Sequence, residues 1–289
     1  MRRNKGLMIS AIALAGAFAL SGCTDSGASA PSAAPVEEVT FDEGTTMAAL
    51  NEAGEITIGT KFDQPLFGLK GPDGNPVGFD VEIGKLIAAK LGIEASNIKW
   101  VETVSANREP FIQNGQVDIV VATYTINDAR KEVVSFAGPY YEADQDLLVL
   151  EVNPSKITGP EDLADKKVCT VSGSTSEKNI AAYTTNIIAT DTYSNCLGPL
   201  RSGEVDAVTT DNVILAGLAD QNAGEFEVVG NPFTKEPYGI GLAKDDTDFR
   251  MFINDVLEES YDDGSWAKAW EATAGSVLET PEPPAVDRY

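Results

Sequence analysis

The sequence contains no histidine and only three cysteines among its 289 residues. Histidine is a common zinc ligand and the usual base beside a nucleophilic serine, so its absence argues against zinc hydrolysis and serine–histidine catalysis. Basic residues are also scarce, with 21 Lys and Arg against 45 Asp and Glu, for a formal net charge of −24. So acidic a chain is poorly suited to hold nucleic acid or an anionic membrane through charge. We therefore expect no metal, no cofactor and no nucleic-acid partner.

A long apolar run stands near the start of the chain, at residues 6–20. It follows a short basic segment without acidic residues, and it is too short to cross a bilayer comfortably. This pattern predicts a cleaved export signal over residues 1–22. The sequence Leu-Ser-Gly-Cys at 20–23 resembles the lipobox of bacterial lipoproteins, which implies lipid attachment at Cys23. An ordinary signal peptide followed by a chance cysteine is the alternative.

Two segments have a composition that disfavours folding. Residues 23–44 are rich in Ser, Ala, Pro, Gly and acidic residues, and such a stretch predicts a flexible tether. Residues 276–289 are rich in Pro and acidic residues, so we expect a disordered tail there. Between them, Cys169 and Cys196 form an even pair, which an oxidising extracytoplasmic compartment favours as a disulfide.

Short β-rich runs alternate with helical periodicity. A helix predicted to be capped by Asp80 and ended by Gly92 is followed by a shorter one at 109–114. They separate predicted strands at 55–59, 98–101 and 118–122. This β-α-β-α-β order predicts a mainly parallel sheet with helices on its faces.

The pattern restarts after residue 150. Further strands are predicted at 167–171, 206–209, 226–229 and 237–242, and closing helices at 248–274. We expect an α/β protein of two lobes, with a ligand between them. Lobe 1 comprises 45–150 and 235–275, lobe 2 comprises 151–234, and the chain crosses near Leu150 and Thr234.

Polar residues cluster where predicted strands lead into helices, the edge at which open α/β sheets bind ligands. Thr125 and Asp128 resemble a capping box, and Arg130 could complete a carboxylate receptor there; a capped helix with a surface arginine is the alternative. Ser174 begins a second capping box, with the same structural alternative. Asp211 is either a plain helix cap or the counter-charge of an ammonium.

Longer motifs resemble one known family. Gly-Phe-Asp-Val-Glu at 78–82, Asn-Gly-Gln-Val-Asp at 114–118 and Val-Ser-Phe-Ala-Gly-Pro-Tyr-Tyr at 134–141 are similar to the family 3 solute-binding proteins. Ser-Ala-Asn-Arg at 105–108 is most similar to the glutamate-binding lipoproteins of actinobacteria. The resemblance, over about residues 50–274, implies the two-lobed periplasmic-binding-protein-like (type II) fold. It also implies a monomeric, non-enzymatic lipoprotein on the extracytoplasmic face of the cell membrane, which delivers an acidic amino acid to an ABC import permease.

The resemblance implies a role for each matching residue. Arg130, helped by Thr123 and Thr125, would hold the α-carboxylate, and Arg108 the side-chain carboxylate. The Ala122 carbonyl and Asp211 would receive the ammonium. The full set of expected ligand-binding residues is Lys61, Phe67, Arg108, Ala122, Thr123, Thr125, Arg130, Ser174, Thr175 and Asp211. Glu109 departs from the family pattern, which usually has an apolar residue there, and Ala122-Thr123 replaces a more usual Ser or Gly pair.

The charge count of this set favours glutamate or aspartate. Three cations, Lys61, Arg108 and Arg130, stand against Asp211, and buried charges need partners. A ligand with two carboxylates and one ammonium would supply them. The alternatives are a binding protein for glutamine or asparagine, a dehydratase-like enzyme on the same fold, and a sensor module.

Overall fold

The computed structural model describes residues 39–289. The predicted signal, Cys23 and most of the predicted tether lie outside these residues. The helices are α1 Thr46–Ala53, α2 Phe79–Lys90, α3 Arg108–Gln113, α4 Asp128–Lys131, α5 Thr175–Ile180, α6 Ser194–Ser202, α7 Asn212–Gln221, α8 Thr247–Asp262 and α9 Ser265–Glu271. Within the described range, none of them is long and apolar enough to cross a membrane.

The strands form two five-stranded sheets and one small three-stranded sheet. They are β1 Ile56–Thr60, β2 Asp63–Gln64, β3 Gly68–Lys70, β4 Pro76–Val77, β5 Ile98–Glu102, β6 Ile119–Val120, β7 Ser135–Ala143, β8 Gln145–Leu150, β9 Val168–Val171, β10 Ile187–Thr190, β11 Ala207–Asp211, β12 Phe226–Val228 and β13 Glu236–Leu242.

The first sheet has the order β5-β1-β6-β13-β7. Strands β5, β1 and β6 are parallel, as the alternating pattern predicted, while β13 runs antiparallel to β6 and β7. Helix α2 buries Ile83 and Ile87 in the core of this lobe. Trp266 and Trp270 of α9 lie in the same core, stacked at 6.0 Å between ring centroids.

The second sheet has the order β10-β9-β11-β8-β12. The predicted disulfide is confirmed: Cys169 of β9 and Cys196 of α6 are bonded, with 5.6 Å between their Cα atoms. The bond fixes α6 against the sheet. By chain entropy, a loop of this size contributes about 3 kcal/mol to stability.

The lobe boundary differs from the predicted one. Strand β8 pairs with β11 and β12, so residues 145–150 belong to the second lobe. The chain therefore first crosses at Asp144, between β7 and β8, and not near Leu150. The return crossing precedes β13, close to the predicted position at Thr234. Leu147 and Val149 are buried with Ile157 and Leu163, which explains why this apolar run lies in lobe 2.

The tail at 276–289, expected to be disordered, lies along the first lobe. The Asp287 N–H donates to the Gly138 carbonyl at 2.8 Å, and the Tyr289 hydroxyl accepts from the Phe136 N–H at 2.9 Å. Arg288 pairs with Asp255 and Glu258, both at 2.6 Å. Residues 277–289 form no helix or strand, but these contacts hold them on the lobe, which composition alone does not reveal.

Two local predictions are also corrected. Asp80 is not a helix cap: α2 begins at Phe79, and the Asp80 side chain is fully buried. Thr125 and Asp128 form no capping box, because Asn127 caps the four-residue α4 by accepting from the Arg130 N–H at 3.0 Å.

Candidate functional site

A cleft lies between the two lobes, where several strands end. Its lining combines hydroxyls with one guanidinium and one carboxylate. The lining residues are Ser105, Arg108, Thr123, Thr125, Ser174, Thr175, Ser176, Tyr193, Asp211 and Ile214. Six of the ten residues expected from the sequence are among them: Arg108, Thr123, Thr125, Ser174, Thr175 and Asp211. The cleft is therefore built from both lobes, as expected.

Four lining residues were not predicted. Ser105 belongs to the Ser-Ala-Asn-Arg segment, and Ser176 to the Ser/Thr-rich turn, so both had a local signal. Tyr193 stands just before α6 and Ile214 within α7, where nothing in the local sequence distinguishes them from core residues.

The second lobe contributes the start of α5. Ser174 caps this helix by accepting from the Glu177 N–H at 2.9 Å, as predicted. The Glu177 carboxylate accepts from the Gly173 N–H at 2.8 Å. This cap holds Ser174 and Thr175 at the edge of the cleft.

Asp211 ends β11 and precedes α7, yet its side chain makes no capping hydrogen bond. Its Oδ2 accepts from the Tyr238 hydroxyl of the first lobe at 2.6 Å. Its Oδ1 is buried without a hydrogen-bond partner among residues 39–289. Burial, with the charge of Glu236 next, raises the pKa of Asp211 to about 7. This geometry favours the counter-charge interpretation over the plain cap.

Arg108 supplies the cation of the first lobe. It is only 3% exposed and stands at the start of α3. Its Nη1 donates to the carbonyls of Ala122 at 3.2 Å and Thr123 at 3.3 Å. Among the ion pairs of the described chain, none involves Arg108. A buried guanidinium without an acid attracts a carboxylate strongly.

The same contacts involve the carbonyl of Ala122. Its carbonyl was expected to receive an ammonium, whereas in the structure it accepts from Arg108. Ala122 itself is fully buried and does not line the cleft.

Arg130 lies at the seam between the lobes and outside the inner lining. Its Nε pairs with Glu109 Oε1 at 3.1 Å, its Nη1 donates to the Thr125 carbonyl at 2.7 Å, and its Nη2 to the Gly173 carbonyl at 3.3 Å. Burial first, then the charge of Arg108, lowers the pKa of Arg130 to about 10. It borders an outer cleft that Ser174 and Thr175 also line. Arg130 therefore lies beside the site, where other residues of the protein already pair with its guanidinium.

The other two expected residues, Lys61 and Phe67, are buried behind the residues that line the cleft. Lys61 is 3% exposed, and its Nζ donates to Ser105 Oγ at 2.9 Å, so it reaches the cleft through that hydroxyl. Burial, then the charge of Arg108, lowers the pKa of Lys61 to about 7.

Phe67 requires a correction, because it is a core residue. It is fully buried, and its ring contacts those of Phe79, Tyr141, Tyr238 and Trp270 at 5.9–6.1 Å.

A buried network fixes the backbone of Thr123. Its φ is +44°, which is unfavourable for a β-branched residue. The Thr123 N–H donates to Asp80 Oδ2 at 2.8 Å, and Asp80 Oδ1 accepts from the Tyr140 hydroxyl at 2.6 Å. Asp80, predicted from the sequence to be a helix cap, therefore holds the backbone of Thr123 in the cleft lining. Burial raises its pKa to about 7.

Side chains also bridge the lobes around the cleft. Besides the bond between Tyr238 and Asp211, Thr125 Oγ1 lies 3.4 Å from Thr175 Oγ1. Asn179 Nδ2 donates to Glu236 Oε1 at 3.0 Å beside the crossings. The lobes therefore meet over the site.

The sequence matches a known protein family. The model of the bacterial extracellular solute-binding proteins, family 3, matches residues 56–272. The chain belongs to this family. It is accordingly an extracytoplasmic solute-binding protein and not an enzyme, as the motifs implied.

Named relatives cover most of the chain. The glutamate-binding protein GluB of Corynebacterium efficiens is 42% identical, over 83% of this chain and 88% of the relative. GluB of Corynebacterium glutamicum is 39% identical, over 91% and 88%. The ABC transporter glutamine-binding protein GlnH of Bacillus subtilis is also 39% identical, over 78% and 83%.

Solved structures confirm the two-lobed type II fold. An ancestral arginine-binding protein bound to glutamine superimposes with a TM-score of 0.70 at 37% identity, covering 75% of this chain and 96% of that one. A solute receptor for L-cysteine from Neisseria gonorrhoeae has a TM-score of 0.76 at 30% identity, covering 84% and 99%.

Proposed function

We propose that the protein binds an acidic amino acid, glutamate or aspartate, and delivers it to the membrane subunits of an ABC importer. The observation that carries the proposal is the pairing of opposite charges across the cleft. Within residues 39–289, Arg108 is a buried guanidinium without an acidic partner, and Asp211 has a buried oxygen without a donor. An amino acid offers a carboxylate to the first group and an ammonium to the second, so that both become paired.

The second carboxylate distinguishes an acidic ligand from a neutral one. Arg130 is suited to the α-carboxylate because its guanidinium lies beside Thr125 and the start of α5. Arg108 then takes the side-chain carboxylate, with the Ser105 hydroxyl beside it. Lys61 strengthens this end of the site through its hydrogen bond to Ser105. The names of the two GluB relatives support this assignment.

Glutamine is the second candidate ligand, and one contact favours it. Glu109 already pairs with Arg130, so Arg108 is the one guanidinium of the cleft lining that has no acidic partner in the described part of the chain. A ligand with a single carboxylate matches that count. The relative GlnH, named a glutamine-binding protein, agrees with this alternative.

The cellular arrangement completes the proposal. Cleavage after residue 22 and lipidation of Cys23 would hold a monomeric protein beside its permease, with the predicted tether at 23–44 between the anchor and the lobes. Mass spectrometry of the membrane-extracted protein tests the anchor. A diacylglyceryl modification on Cys23 supports it, and release of the Cys23→Ala variant into the medium agrees; an unmodified Cys23 contradicts it.

Calorimetric titration of the mature protein tests the ligand. We expect L-glutamate or L-aspartate to bind at least about tenfold more tightly than L-glutamine, because a buried cation left without its carboxylate costs more than 1.4 kcal/mol. Arg108→Ala should abolish the preference, whereas Arg201→Ala, which removes a half-exposed arginine far from the cleft, should keep it. Equal or tighter glutamine binding would overturn the acidic ligand and leave Arg108 with a structural role.

A further inference from the structure

One aromatic ring serves both arginines of the site. The guanidinium carbon of Arg108 lies 4.2 Å from the centroid of Tyr124, and that of Arg130 lies 4.9 Å from it. Both distances fall within the range of a cation–π contact. Tyr124 is itself fully buried, between the lining residues Thr123 and Thr125.

The guanidiniums of Arg108 and Arg130 carry like charges and repel each other. The charge of Arg108 is the largest cause, after burial, of the lowered pKa of Arg130. One acid, Glu109, pairs with Arg130, and Arg108 has no acidic partner in the described chain. The negative face of an aromatic ring attracts cations without adding a formal charge, so the ring can hold two guanidiniums close together without competing as an anion.

The position of the ring is fixed by its surroundings. Tyr124 packs edge-on against Phe136, with 4.8 Å between ring centroids. A Cβ at Gly241 would come within 2.7 Å of Tyr124 Cε1, so β13 needs a glycine to let the ring approach. The Tyr124 hydroxyl has no hydrogen-bond partner within the usual geometric limits among residues 39–289, so the contacts described for Tyr124 are those of its ring.

We propose that Tyr124 is a specificity-determining positioning residue, which holds the guanidiniums of Arg108 and Arg130 at the spacing that a ligand with two carboxylates requires. The inference rests on the proposed function, since it names the residue that lets the site select a dicarboxylic amino acid. Without the ring, mutual repulsion would separate the two cations. A ligand with one carboxylate would lose less affinity, because it needs only one of the two guanidiniums.

The test is the ratio of L-glutamate to L-glutamine affinity, measured by calorimetry on a matched series at position 124. Tyr124→Phe keeps the ring and should keep the ratio within about twofold. Tyr124→Leu removes the ring's charge distribution and should narrow the ratio by about three- to thirtyfold, the strength of one to two cation–π contacts. Trifluorinated phenylalanine, introduced at the same position, retains the shape of the ring while withdrawing charge from its face, and should also narrow the ratio.

The outcomes separate the two proposals. A parent protein that prefers glutamine overturns the proposed acidic ligand and this inference with it. A parent that prefers glutamate, with a ratio unchanged by Tyr124→Leu and by fluorination, overturns the inference alone. Equal weakening of both ligands also overturns it, since that is the effect of a merely structural ring. If the leucine variant does not fold, the fluorinated variant alone tests whether the ring of Tyr124 sets the ratio of L-glutamate to L-glutamine affinity.

Discussion

Glu109 and Arg130 form a half-sheltered ion pair at the seam of the two lobes. The carboxylate is 23% exposed and the guanidinium 9%, and they lie 3.1 Å apart. A ligand carboxylate that approaches Arg130 has to share it with Glu109 or displace it. Glu109 therefore acts as an internal competitor of the ligand for Arg130.

We expect Glu109→Gln to bind the amino acid more tightly, by about 1 kcal/mol or roughly fivefold, because the amide competes less well than a carboxylate for Arg130. Calorimetric titration at neutral pH measures this. Glu132→Gln, at the C-terminal end of α4, is the control and should match the parent, because Glu132 is exposed and makes no ion pair in the described part of the chain. Weaker binding by Glu109→Gln would show that Glu109 positions Arg130 for the ligand.

Asp211 links ligand binding to the pH dependence of stability. Burial raises its pKa from 3.8 to about 7, so the folded protein holds this proton more tightly than the unfolded chain. The resulting stabilisation is present below about pH 4 and is lost as the pH rises through about 7. The nearby charges of Glu236, Arg108 and Arg130 are the same in a variant at this position.

Asp211→Asn should therefore abolish ligand binding and yet raise the free energy of unfolding at neutral to alkaline pH, by up to about 4 kcal/mol. Urea unfolding without ligand at several pH values measures the difference from the parent, which should vanish in acid. The exposed Asp220→Asn on α7 is the control. A variant less stable than the parent at high pH would show that Asp211 is ionised and well compensated in the folded protein.

At the scale of elements, the disulfide ties α6 to β9 in the second lobe. Helix α5, which Ser174 caps, is joined to β8 by hydrogen bonds instead, since Asn179 Nδ2 donates to Gln145 Oε1 at 3.0 Å. Cross-linking acts mainly on the unfolded chain, so the bond should matter more for stability than for affinity.

Replacing both cysteines, Cys169→Ala with Cys196→Ala, should lower the free energy of unfolding by about 3 kcal/mol and leave ligand affinity nearly unchanged. Urea unfolding and calorimetry on the same sample measure the two effects, and the parent treated with a reductant should match the variant in stability. Recovery of both residues as free thiols in the exported protein would contradict the bond.

Periodicity and turn residues predicted most elements of the fold correctly. The strands β1, β5 and β9 and the helix α2 follow apolar spacing closely, because each buries one face in its own lobe. The assignment of β8 could not be made this way. Leu147 and Val149 indicate a buried strand, but the sheet to which that strand belongs depends on pairing with β11 and β12, which lie far along the chain.

Prediction of the site was limited for a similar reason. Capping signals and strand ends led to Ser174, Thr175 and Asp211, since those features are local. The pairing of Arg130 with Glu109 depends on residues 21 positions apart, and the contact of Tyr238 with Asp211 joins two lobes. Asp80 was misread because an acid near a helix start usually caps it, whereas here the tertiary fold buries it.

At the scale of the molecule, two lobes meet through a small set of polar contacts. Tyr238 to Asp211 and Arg130 to the Gly173 carbonyl can form only when the cleft is shut. A ligand that satisfies groups from both lobes adds its contacts to these, and so favours the shut form.

We expect the radius of gyration to fall when the amino acid is added at saturation, as measured by solution X-ray scattering. Tyr238→Phe removes one contact between the lobes, so it should weaken ligand binding by about 1 kcal/mol. Tyr183→Phe, at a partly buried residue of lobe 2 outside the cleft lining, should not. An unchanged radius of gyration alongside confirmed binding would mean that delivery depends on something other than closure.

The docked tail has a mechanical consequence. Tyr289 is held by β7, and at the other end of the described chain Phe41 packs against Phe252 of α8, with 5.5 Å between ring centroids. Both ends of the described chain thus attach to lobe 1, and lobe 2 is an insertion carried on two crossings that the ion pair of Asp144 and Lys235 ties together. If Cys23 carries the proposed anchor, a pull from the membrane would act on lobe 1 alone, and the movement of lobe 2 relative to lobe 1 would not work against it.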